Sequence, residues 1–258
     1  MAEGIGMIGR IIRAVRPWPK HPIDRLYGIE TSRKMWRLFL RTGNARSDQE
    51  SIGYSSAQPS IIRQSLETIP DIDGSIFVDV GCGKGRVLAV ATEYSFSEIR
   101  GIELSPSLAR IALENGNKIS RLHPNRILPS VSISDACDIQ LDDSGVVVIF
   151  LYNPFQESIM TEFVGKMKAS LNAKRDLKLY VVYYNPVHHN LLDECKEFSR
   201  FHARRYEFSE EERDTSPFGN QHDSVVIWQS TGGHRKEAHP SAGAMIRVLI
   251  PNLAAAVY

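Results

Sequence analysis

Seven consecutive residues carry the strongest chemical signal in this chain: Asp79-Val80-Gly81-Cys82-Gly83-Lys84-Gly85. Glycines at alternate positions let a backbone turn tightly and let a ligand approach with no Cβ in the way. The spacing then sorts the ligands. A dinucleotide loop needs two residues between its second and third glycines. Here one residue separates Gly83 from Gly85, and Arg86 stands where that third glycine would be. A phosphate loop needs Ser or Thr after Gly-Lys, and Lys84 is followed by Gly85. An acid at the head of the loop, Asp79, suits a cationic amino group and suits a pyrophosphate badly. A second acid, Glu103, lies in Gly101-Ile102-Glu103-Leu104-Ser105-Pro106. An acid about 20 residues beyond the glycines, at a strand end, accepts hydrogen bonds from ribose hydroxyls.

Two further stretches pair a carboxamide with a proline. Leu151-Tyr152-Asn153-Pro154-Phe155 places an amide, a proline and a ring after an apolar run. Tyr183-Tyr184-Asn185-Pro186 repeats the pattern and is followed by His188 and His189. These imidazoles titrate near neutral pH, and without a third ligand at a diagnostic spacing they make no metal site. The plainer alternative for Asn153-Pro154 is a strand end, which an X-Pro pair makes readily.

The elements that must position these residues alternate short apolar runs with helical spacing, the pattern of βα units on a parallel sheet. Strands are expected at Ile76–Val80, Ile99–Leu104, Val131–Ser134, Val146–Tyr152 and Leu179–Tyr184. Between them lie helices opened by Pro59, by Arg86 and by Ser105-Pro106, the last with Gly116 beyond its end. Another helix carries Met160, Phe163, Val164, Met167 and Leu171, and one more carries Leu191, Leu192 and Phe198. Two late β-rich stretches, Phe201–Phe208 and Val225–Trp228, are joined by an acidic loop from Glu210 to Asp223 and read as an antiparallel pair at one sheet edge. The expected fold is α/β, a doubly wound, mostly parallel seven-stranded sheet ending in an antiparallel hairpin.

Bulk properties remove several function classes. With 42% hydrophobic and 24% charged residues the composition is that of a globular protein. Three scattered cysteines, Cys82, Cys137 and Cys195, make no disulfide framework and fit a reducing, cytoplasmic setting. The longest strong apolar run, Val146–Tyr152, is far short of the ~18–20 residues of a membrane span. The net charge of +1 carries no polyanion signature, although residues 1–46 hold ten basic residues against three acidic ones. Ile8, Ile11, Ile12 and Val15 also fall at helical spacing among arginines, as in a terminal helix docked on its own domain or, less simply, on a membrane surface.

The D-x-G-x-G-x-G loop resembles the first motif of class I methyltransferases, and residues ~54–230 follow that family's Rossmann-like strand order. The stretch Gly53-Tyr54 to Gln58-Pro59, with Asn153-Pro154-Phe155, is similar to bacterial methyltransferases of unassigned substrate and, more distantly, to seven-strand protein lysine methyltransferases. The resemblance implies S-adenosylmethionine as cofactor, held by Asp79, Gly81, Cys82, Gly83, Gly85, Glu103 and Leu104. It places Asp135, in Ser134-Asp135-Ala136-Cys137-Asp138, and its neighbour Ala136 near the adenine. There Asp138 competes for the role, and a solvated turn is an equal alternative. Tyr54 and Gln58 would lie on a lid over the cofactor. Asn153, Pro154 and Phe155 would form the acceptor slot, the Asn oxygen receiving an amine and the ring walling it, although one proline stands where the family pattern has two.

Three segments are then expected: a basic extension and lid over 1–58, the cofactor-binding domain over 59–230, and a C-terminal extension over 231–258. The expected activity is methylation of an amino nitrogen on a protein lysine or a small molecule. Alternatives are an RNA or DNA base as acceptor, disfavoured by the near-neutral body, a nicotinamide-dependent oxidoreductase, and a catalytically silent module of the same fold.

Overall fold

The computed structural model describes residues 20–32, 56–142, 144–174, 176–214 and 221–231. Two short helices come first, α1 (Pro22–Tyr27) and α2 (Pro59–Leu66), and then β1 (Ile76–Val80), α3 (Arg86–Ala91), β2 (Glu98–Glu103) and α4 (Pro106–Leu122). β3 (Ser130–Ile133), β4 (Ser144–Leu151), α5 (Glu157–Ala173), β5 (Asp176–Tyr184) and α6 (Asn190–Asp193) follow, then β6 (Phe198–Glu207), α7 (Glu210–Arg213) and β7 (His222–Ser230). The seven strands form one sheet in the order β3-β2-β1-β4-β5-β7-β6. β1 to β5 pair in parallel, and β7 runs antiparallel to both β5 and β6. The expected seven-stranded α/β architecture is what the chain adopts, and the closing hairpin gains a detail. Its second strand enters between β5 and the first, so β7 alone is reversed.

The central strands are apolar on both faces because helices cover both. Phe77, Val148, Phe150, Tyr180, Val182 and Tyr184 face the layer built from α2, α3 and α4. Val78, Val80, Val147, Ile149, Leu151 and Trp228 face α5, where Met160, Phe163 and Met167 are fully buried. Burying one such side chain stabilises the fold by ~1.5–3 kcal/mol.

Two expectations are corrected. Gly116 does not stop α4, which runs on to Leu122. Leu108, Ala112, Asn115 and Ile119 keep one buried stripe across it, and a Cβ on Gly116 would meet Pro129 Cδ at 3.6 Å. That glycine lies under a packed proline instead of ending the helix. Phe198, assigned to a helix with Leu191 and Leu192, begins β6, because α6 spans only Asn190–Asp193. Ser105 does stand at the N-cap of α4, but its hydroxyl bonds Ser107 Oγ at 2.9 Å, with no side-chain bond to the helix backbone. The Ile8–Val15 pattern and residues 232–258 lie outside the described residues.

Candidate functional site

The glycine loop leaves β1 at the carboxyl edge of the sheet, where ligands of open α/β folds sit. Gly81, Gly83 and Gly85 have φ of 75°, 56° and 78°, a left-handed backbone that residues with a Cβ rarely adopt. Sterics repeat the requirement at one point: a Cβ on Gly81 would lie 2.7 Å from Pro154 Cβ. The loop after β4 therefore rests directly on the glycine loop. Gly81 and Cys82 donate their N–H groups to Ile102 O at 2.8 and 3.0 Å, tying the turn to β2.

The two acids share one face of the sheet. Asp79 pairs in register with Gly101, two residues before Glu103, and side chains two apart on a strand project the same way. Both are buried. Glu103 Oε2 accepts the Gly83 N–H and Oε1 accepts the Ser105 N–H, each at 2.8 Å. Burial raises the Glu103 pKa against the pull of these backbone donors. Asp79 has no such help. Its pKa is pushed well up, by burial first and by the Glu103 charge second. Its Oδ2 is buried with no hydrogen-bond partner among the described residues. A buried carboxylate oxygen without a donor is a destabilising feature unless a ligand supplies one. Cys82 lies beneath the loop, its thiol pKa raised by burial and by the neighbouring acids, which keeps it a protonated packing group.

At the end of β4, Asn153 holds a left-handed backbone (φ 40°), and Asn185 at the end of β5 does the same (φ 47°). The two corners touch, since Val187 N–H donates to Asn153 Oδ1 at 3.3 Å. A carboxamide oxygen has a second lone pair, which this bond leaves for another donor. Burial lowers the His188 pKa, with Glu157 opposing, so the imidazole beside this corner is neutral at pH 7. Asn185 is held at both ends: its Nδ2 donates to Asp223 Oδ1 at 2.8 Å and its Oδ1 accepts from Ser224 N–H at 2.9 Å.

Several expected site residues are placed differently. Phe155 is buried against Phe163, with ring centroids 5.7 Å apart, so it packs on α5 and does not wall an open slot. Gln58 spends its carboxamide oxygen on His21 Nε2 at 3.0 Å, and its N–H donates to Tyr184 Oη at 3.2 Å. It anchors the upstream segment to the sheet. Tyr54 lies outside the described residues. Asp135 caps the short turn Ala136–Asp138, its Oδ1 accepting the Cys137 N–H at 2.9 Å. Ala136 is half-buried in that turn, Asp138 is exposed, and half-buried Leu104 follows Glu103.

Sequence reasoning also missed a set of residues. Lys84 is fully buried and ion-paired with Glu30, Nζ to Oε2 at 2.9 Å. Arg86 Nε donates to Thr31 Oγ1 at 2.7 Å. A lysine between two glycines of the loop was the available signal, since the charge demands a partner once the loop is buried.

Residues 78–171 match the family model described as a methyltransferase domain. No curated protein matches the chain. Among solved structures, it is similar to a putative RNA methyltransferase from Pyrococcus horikoshii at 14% identity, over 80% of this chain and 95% of that one, with a TM-score of 0.49. It is also similar to magnesium protoporphyrin IX methyltransferase from Synechocystis, a structure with bound S-adenosylmethionine, at 12% identity, over 67% and 79%, with a TM-score of 0.47. The ribosomal protein L11 methylase of Lactobacillus delbrueckii subsp. bulgaricus matches at 13% identity, over 72% and 79%, with a TM-score of 0.43. The acceptors in those names are those proteins' own. The family match spans the glycine loop, Glu103 and the end of β4, so the likeness to a methyltransferase domain covers the residues that build the candidate site.

Proposed function

We propose that this chain is an S-adenosylmethionine-dependent methyltransferase of class I that methylates an amino nitrogen, on a protein lysine or on a small-molecule amine. One observation supports it most: the Asn153–Pro154 corner rests on Gly81 and presents a half-buried carboxamide beside the glycine loop. When bound, the cofactor supplies an electrophilic methyl group. The chain's own residues do the rest. Asp79, with its unpartnered oxygen, would hold the cofactor's ammonium group, and Glu103, which fixes the Gly83 N–H, would accept from the ribose hydroxyls with its remaining lone pairs. Asn153 Oδ1, already held by Val187, accepts an N–H of the incoming amine and so turns the nitrogen lone pair outward. Such a site works by positioning, with little acid–base chemistry. The substrate amine must arrive unprotonated; transfer leaves its nitrogen positively charged, and neutral His188, next in the chain to Val187, is available to take the proton that the methylated nitrogen then loses.

The test is incubation of the full chain with methyl-labelled S-adenosylmethionine and whole lysate, followed by separate protease and nuclease digestion. Label in lysine side chains or in small amines supports the reading. Label that nuclease releases would move the acceptor to a nucleic-acid base. Asn153→Ala is expected to keep cofactor affinity and to lower transfer by about 10²-fold, a plausible size for one positioned donor–acceptor contact.

A further inference from the structure

The loop expected to hold the cofactor is tied to β2 by its own backbone and also takes contacts from outside the sheet. Glycine-rich turns carry a large conformational entropy, and affinity improves when that cost is met before the ligand arrives. In this chain a second set of immobilising contacts comes from far upstream. Lys84 sits between Gly83 and Gly85, and its ammonium reaches both oxygens of Glu30, at 3.0 and 2.9 Å. Its carbonyl accepts from Asn115 Nδ2 at 2.9 Å. Asn115 also holds the Glu30 backbone on both sides, accepting the Glu30 N–H and donating to the Glu30 carbonyl, each at 3.0 Å. Two residues later, Arg86 binds Thr31 and Ser32. Buried Asp24 gathers the Thr31 and Ser32 N–H groups, both at 3.0 Å, and their hydroxyls. Residues 28–32 thus form a strap whose acid neutralises the lysine at the centre of the glycine loop.

We infer that Lys84 is a positioning residue for the cofactor and that the Glu30 strap is a working part of the cofactor site, setting the loop shape through the Lys84 side chain and carbonyl. This inference rests on the cofactor site proposed above. Coupling of this kind is reciprocal: if the strap improves cofactor binding, the cofactor stabilises the strap by the same factor. A strap that only fastens the N-terminal segment would show no such reciprocity.

The experiment uses the full chain with S-adenosylhomocysteine as probe, measuring affinity by calorimetry and amide exchange at Thr31 and Ser32. Glu30→Ala leaves the Asn115 bonds to the Glu30 backbone in place, and Lys84→Met removes the buried charge itself. Both are expected to weaken binding at least tenfold, with Glu30→Gln intermediate because its amide oxygen still accepts. The ligand is expected to slow exchange at Thr31 and Ser32 in the unmodified chain and to lose that effect in Glu30→Ala. Affinity within twofold of the unmodified chain in both variants would overturn the inference, as would full ligand protection of the strap in Glu30→Ala. If the unmodified chain itself fails to bind the probe, the cofactor site falls first and the inference with it.

Discussion

At the residue scale the decisive pair is Asp79 and Glu103. Both types were legible in the sequence, because an acid before the glycines and an acid at the next strand end match what a cationic nucleoside needs. Their energetics were not legible, since burial and mutual repulsion depend on the sheet. Asp79 has a folded-state pKa well above the ordinary carboxylate value. Its contribution to folding is therefore favourable only where it is protonated, and that contribution is lost as pH rises through the elevated pKa. Asp79→Asn is expected to raise the melting temperature of the ligand-free chain at pH 7 while weakening S-adenosylmethionine binding at least tenfold. Calorimetry and thermal unfolding of one preparation check both signs together. Cofactor affinity of the unmodified chain should also strengthen as pH rises through the same range, with protons released on binding. An affinity flat in pH would mean that Asp79 is already ionised in the free protein.

Elements placed these groups largely as the alternation of apolar runs foretold. β1 spans Ile76–Val80 as expected, and the other parallel strands differ from expectation only at their ends. What the pattern hid was tertiary. Gly116 resembled a helix stop because what covers it, Pro129, lies on a neighbouring loop outside the helix. Phe155 resembled an active-site ring because its partner Phe163 lies a helix turn and a half into α5. These two glycine environments, at Gly116 and Gly81, give opposed outcomes on substitution. Gly116→Ala places a Cβ at ordinary contact distance inside a helix and is expected to stabilise the chain by about 0.5–1 kcal/mol in urea unfolding. Gly81→Ala meets both a positive φ and a 2.7 Å approach to Pro154. It is expected to lower stability by ~1–3 kcal/mol and to abolish detectable cofactor binding.

Across the whole molecule, the first described segment and the last described strand meet through one buried chain of hydrogen bonds. His21 bonds Gln58, Gln58 N–H bonds Tyr184, and Tyr184 Oη donates to Asp223 Oδ2 at 2.5 Å. No local pattern could announce this, because its members are spread from residue 21 to residue 223. Burial, with Arg86 nearby, lowers the His21 pKa to about 4. A depressed histidine favours the folded state above its unfolded pKa, near 6.5, and loses that contribution as pH falls toward 4. Melting temperature should drop over that window, and His21→Gln should flatten the drop while costing about 1 kcal/mol through the lost N-cap on Ile23.

The order of strands has a consequence for biosynthesis. β7 fills the slot between β5 and β6, yet it is the last of the seven to be made. Until it arrives, β5 presents a bare apolar flank and β6 has no neighbour at all. A nascent chain is thus committed to a long wait with an adhesive margin exposed, the kind of species that chaperones shield. Release of a chain cut short before His222 should yield a protease-sensitive, self-associating product, even though every residue of the glycine loop is already in it.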